Sequence, residues 1–137
     1  MPDDEYKKYE QACKRIKKDN TKLLDQFAQW LSGKGLAEKT VRRHVENADF
    51  YINTFLLSED AVSARDGASH ISMFLGYWFI RKAMWASPSA IRENAGSLKK
   101  FYTFMQEQGQ IDADELQDLK QTIKEGVWHI MLSTEQW

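Results

Sequence analysis

The sequence has little of several things, and each scarcity removes a class of protein. A single cysteine, Cys13, cannot form an internal disulfide. Two prolines and seven glycines in 137 residues leave few breaks, which favours long helices over many short strands. The N-terminus carries no apolar run of the signal-peptide kind, and the most apolar stretch, His70 to Ala86, is too short for a membrane span and meets Arg81 and Lys82. A soluble cytoplasmic protein with no membrane partner is therefore expected. An excess of one charge is also missing: 19 Lys+Arg stand against 20 Asp+Glu, so the whole-molecule field makes no case for nucleic acid. His44, His70 and His129 lie far apart, so no metal-ligand spacing exists, and no glycine loop suited to phosphate is present. No cofactor and no metal are expected, and the chain reads as a non-enzyme.

What is present is apolar content of 42% and aromatic content of 12%, enough for one folded domain with a core of its own. Charge is distributed unevenly. From Lys7 to Arg43 there are eleven basic and four acidic residues, from Arg81 to Lys100 five and one, and from Phe101 to Trp137 two and seven. Such runs either lace solvated helix faces with ion pairs or mark surfaces for an anion.

The spacing of apolar residues places the helices. Asp4 to Lys18 has few anchors and reads as a lightly docked helix or arm, residues 1–20 in all. Asp19, Asn20 or Thr21 then caps a second helix, with Leu23, Leu24, Phe27, Trp30 and Leu31 on one face and Gly33 and Gly35 at its end. In the next helix Val41, Val45, Ala48, Ile52 and Phe55 point inward, leaving Lys39, Arg42, Arg43, Glu46 and Asn47 outside. His70 to Ala86 has almost no polar face and is expected to be the most buried helix. Ser87 as N-cap with Pro88 behind it opens a helix that carries Ile91, Ala95, Leu98, Tyr102 and Met105 inward and stops at Gly109. A last helix starts near Asp112, with Glu115 as capping-box partner, and is interrupted at Gly126. The fold class expected is all-α, a compact bundle of four to five helices, with Trp30, Trp78 and Phe104 sharing one core. Residues 21–125 form the helical domain and 126–137 an apolar tail. Trp85, Phe101 and Tyr102 read as core residues, and all five tyrosines as packing or surface aromatics.

The stretch GKGLAEKTVRRHVENADFYINTFL, a middle helix, and then NAGSLKKFYTFMQEQGQID together resemble the SAM-like core-binding, N-terminal domain of tyrosine recombinases and phage integrases. The likeness covers Thr21 to Lys124. In that family a gly-x-leu turn leads to a helix opened by threonine, and a later helix reads like Ser97 to Gly109. The resemblance implies half of a clamp around double-stranded DNA, with Lys39, Thr40, Arg42 and Arg43 on one helix and Arg92, Lys99 and Lys100 on the other facing phosphates and the major groove. Arg42 and Arg43 would lie beside helix-start amides, and both groups suit phosphate oxygens. Against this, Glu38 and Glu46 stand four residues either side of Arg42 and can neutralise it.

The family's chemistry resides in a second domain bearing an arginine, a lysine, a His-x-x-Arg motif and a nucleophilic tyrosine. Here His129 is followed by Ile130, Met131 and Leu132, and the chain ends at Trp137, so no recombinase chemistry is expected. Two other readings share the fold: a protein-interaction or homodimerisation module using the apolar tail from Trp128 to Trp137, or a fragment of a longer integrase.

Overall fold

Helix is the form taken by every long segment with the 3.6-residue apolar spacing. The computed structural model describes residues 2–82 and 87–135, with side chains described over 4–79, 81 and 87–126. These residues make five helices and, among the described residues, no strand. No helix among them is long and apolar enough to cross a membrane. The chain divides into two units, Met1–Gly67 and Ala68–Trp137.

In the first unit α1 (Pro2–Gly33) is one helix of 32 residues, where a capped break near residue 20 was expected. None of Asp19, Asn20 and Thr21 caps anything. The Thr21 hydroxyl donates back to the Lys17 carbonyl at 3.0 Å, as a mid-helix threonine does. Asn20 is buried, and its amide donates to the Ile52 carbonyl at 3.3 Å and to Asn53 Oδ1 at 2.7 Å. The polar triplet is thus explained by one long-range anchor rather than by a helix start. The N-terminal half of α1 is held by Tyr9, whose hydroxyl donates to the Leu57 carbonyl.

Gly35, at φ 86°, reverses the chain after α1, with Leu36 N–H donating to the Leu31 carbonyl at 3.5 Å. That left-handed step is cheap only for glycine. Next, α2 (Glu38–Asp49) runs on without interruption into a widened π-type segment, Phe50–Phe55. Phe27, Leu31, Val41, Ala48, Tyr51, Ile52 and Phe55 form the core of this unit. The Tyr51 ring stacks on Phe55 at 5.3 Å, and its hydroxyl donates to the Gly67 carbonyl at 2.7 Å. A short helical turn, Ala64–His70, follows.

In the second unit α3 begins as Ile71–Met73, widens over Phe74–Trp78 and closes as Phe79–Lys82. It is not buried all round. Ile71, Phe74, Leu75 and Phe79 face inward, whereas Met73 is 56% and Tyr77 52% exposed. The α4 helix (Pro88–Glu107) starts as expected: Ser87 Oγ accepts from the Ala90 N–H at 3.1 Å, and Pro88 occupies the first turn. It buries Ile91, Ala95, Leu98, Tyr102 and Met105, together with Phe101 and Phe104. Gly109, at φ 75°, repeats the turn of Gly35, with Gln110 N–H donating to the Met105 carbonyl at 2.9 Å. Asp112 Oδ1 then accepts from the Glu115 N–H at 2.8 Å and opens α5 (Ala113–Glu135). Gly126 does not interrupt α5, since one glycine costs only about 1 kcal/mol against alanine in a helix.

Three aromatic residues expected in one core behave differently from one another. Phe104 is buried in the second unit, Trp78 is half-buried there, and Trp30 is half-buried in the first unit, stacked on Phe27 at 6.2 Å with Lys34 over its ring. Trp85 and the side chains of the tail from Trp128 to Trp137 lie outside the described residues.

Candidate nucleic-acid interface

The first group of expected contacts sits on α2. Ala37 precedes the helix in extended conformation, φ −65° and ψ 149°, and has no side chain able to cap it. Val41 N–H donates to the Ala37 carbonyl at 2.9 Å, so Glu38, Lys39 and Thr40 make up the opening turn. Glu38 there matches the partial positive charge of the helix start. Arg42 and Arg43 fall in the second turn, where Cβ atoms tilt toward the helix start. Lys39, Arg42 and Arg43 are exposed and Thr40 is half-buried. Arg42 lies 3.6 Å from Glu38, in a pair whose side chains are 67% and 91% exposed. Glu46 and Asp49 share the outward face, so α2 presents cations and carboxylates in alternation.

The second group sits on α4. Arg92, Lys99 and Lys100 are exposed, opposite the buried Ile91, Leu98 and Phe101, with Glu93 and Glu107 also exposed on the helix. The seven expected residues therefore form two clusters, one in each unit. Phe101 and Tyr102 are buried edge to face at 5.1 Å and offer no ring to a base. Among the described residues no three of His, Cys, Asp and Glu come together as a metal cluster would.

A third cationic surface escapes the sequence reading. Because α1 is continuous, Lys7, Lys8, Lys14, Arg15, Lys18 and Lys22 fall on one arc of about 120°, opposite the buried Asn20, Phe27 and Leu31. All six are exposed. The signal was the Lys14, Lys18, Lys22 spacing of four, hidden by placing a helix break between Lys18 and Lys22. On the opposite arc, the Tyr9 hydroxyl holds its proton more tightly than usual, first through its hydrogen bond with the Cys13 thiol. Tyr6 does the same, first through its hydrogen bond with Glu10. Neither is poised as a nucleophile.

No protein-family model matches this sequence, and no curated protein and no solved structure matches it either.

Proposed function

We propose that this chain is a DNA-binding helical module, related to the core-binding domain of tyrosine recombinases and without recombinase chemistry of its own. Double-stranded DNA is bound with modest sequence preference through Lys39, Thr40, Arg42 and Arg43 on α2 and Arg92, Lys99 and Lys100 on α4. The observation that carries this reading is that all six cations are exposed, on faces turned away from the buried stripes, as phosphate contacts require. The carboxylates among them do not defeat it. An exposed ion pair such as Arg42 with Glu38 is worth about 0–1 kcal/mol, less than a charge-assisted bond to phosphate at about 1.5–3 kcal/mol, so an arriving duplex can exchange it.

Anisotropy titration of a labelled duplex at several salt concentrations tests this. Arg42→Ala with Arg43→Ala should flatten the dependence of log affinity on log salt by about 1.8, since each phosphate contact contributes about 0.9. Wild-type protein that ignores duplex DNA at low salt, or a slope indifferent to both substitutions, refutes it.

A protein-interaction module is the second reading, favoured by α3. Met73 and Tyr77, one turn apart and both more than half exposed, form an apolar patch edged by Arg81, which lies 4.6 Å over the Tyr77 ring. Light scattering should then find a dimer that Met73→Ser with Tyr77→Ser dissociates. A monomer at high protein concentration removes homodimerisation.

A further inference from the structure

We propose that the outward arc of α1 is a tracking surface for the phosphate backbone of duplex DNA, built from Lys7, Lys8, Lys14, Arg15, Lys18 and Lys22. The proposal rests on the nucleic-acid reading above and adds to it a contact surface, on the helix that reading leaves out.

Three features single this arc out. Between residues 5 and 24 the only acids are Glu5, Glu10 and Asp19, and the helical repeat places each of them outside the arc; Asp4 and Asp25 stand at its two ends. No ion pair holds any of the six cations among the described residues. Furthermore, Lys14 with Lys18, and Lys18 with Lys22, are like charges four residues apart, an arrangement that opposes helix formation. On α2, by contrast, Glu38, Glu46 and Asp49 alternate with the cations and relieve such repulsion. On α1, Glu10 and Asp19 stand four residues from Lys14 and Arg15 respectively but form no ion pair with them among the described residues, which leaves the arc's cations available to an anion from outside.

The chemistry of the arc selects the anion. From Lys7 to Lys22 it extends about 22 Å at 1.5 Å per residue, long enough to follow several phosphates. A protein partner would need an apolar or aromatic anchor, and between the cations the arc offers only Gln11. A single strand would need rings to stack on, and the arc has none. A membrane-surface helix inserts its apolar face, but here Phe27 and Leu31 on that face are buried in the core of the first unit. A rigid duplex, read through its phosphates alone, needs only the charges.

The test uses full-length protein, a labelled 20-base-pair duplex of arbitrary sequence and vesicles containing phosphatidylserine. Lys14→Gln with Lys18→Gln and Lys22→Gln keeps good helix formers at exposed positions, and circular dichroism should be unchanged. The salt slope should fall by about 2.7. A fourfold drop in salt would then raise affinity about 40-fold less than it does for the wild type. The Arg42→Ala, Arg43→Ala protein, measured beside it, separates the two ideas. If that variant loses slope while the α1 variant matches the wild type, this proposal falls and the nucleic-acid reading stands. Wild-type protein that does not bind the duplex at low salt ends both. Vesicle binding lost in the α1 variant, with duplex binding retained, assigns the arc to a lipid surface and overturns the proposal. An altered dichroism spectrum calls for Lys7→Gln with Lys8→Gln, in the exposed first third of α1, where a slope reduced by about 1.8 supports the proposal and an unchanged slope overturns it.

Discussion

Phe104→Ala should lower the unfolding free energy by about 3–5 kcal/mol, the cost of removing a large ring from a core that cannot collapse around the gap. Phe104 is only 1% exposed, 6.2 Å from the Phe101 ring and among the buried side chains of α4. Trp78→Ala, although it deletes more atoms, should cost less, about 1–2 kcal/mol. The indole is half-buried, stacked on Phe74 at 5.9 Å, and the loss scales with the apolar area actually taken out of water. Urea denaturation of both variants reads the order directly. Equal losses, or a larger loss at Trp78, would place the tryptophan as deep in the core as Phe104.

That face illustrates what the sequence could and could not convey. Local chemistry was legible: Ser87 with Pro88 starts α4, Gly35 and Gly109 take left-handed conformations that side chains avoid, and Asp112 opens α5. An almost wholly apolar helix carries no such information about which side meets water. Ser72, Met73, Gly76 and Tyr77 are all exposed on α3, and only the two small residues hinted at it. Widened turns at Phe50–Phe55 and Phe74–Trp78 have no signature in a pattern read at 3.6 residues per turn. For the candidate interface, exposure of Lys39, Arg42, Arg43, Arg92, Lys99 and Lys100 followed from the apolar periodicity of their helices. The cationic arc of α1 did not, because it depends on whether a cap-like triplet breaks the helix, and a tertiary contact decides that.

The triplet is therefore where one substitution tells most. Asn20→Ala should cost about 2–3 kcal/mol: two hydrogen bonds of about 1 kcal/mol each are lost, and the Ile52 carbonyl gives up a partner in the interior. The loss extends past the asparagine, since Asn53 Nδ2 donates in turn to Asp49 Oδ1 at 2.6 Å and the chain of amides fixes the end of α2 against the middle of α1. Asp19→Ala and Thr21→Ala should stay within about 0.5 kcal/mol, because exposed mid-helix positions tolerate alanine. A capped break would give a different pattern, with about 1 kcal/mol lost at whichever of the three served as cap. Amide hydrogen exchange supplies an independent reading: in a continuous helix the N–H groups of residues 19–24 are all bonded within α1 and exchange slowly, whereas a new helix start would leave its first few amides exposed. Fast exchange confined to those residues, with stability lost at Asp19 or Thr21 rather than Asn20, would divide α1. It would also take Lys22 out of register with Lys7, Lys14 and Lys18, and shorten the phosphate-tracking arc.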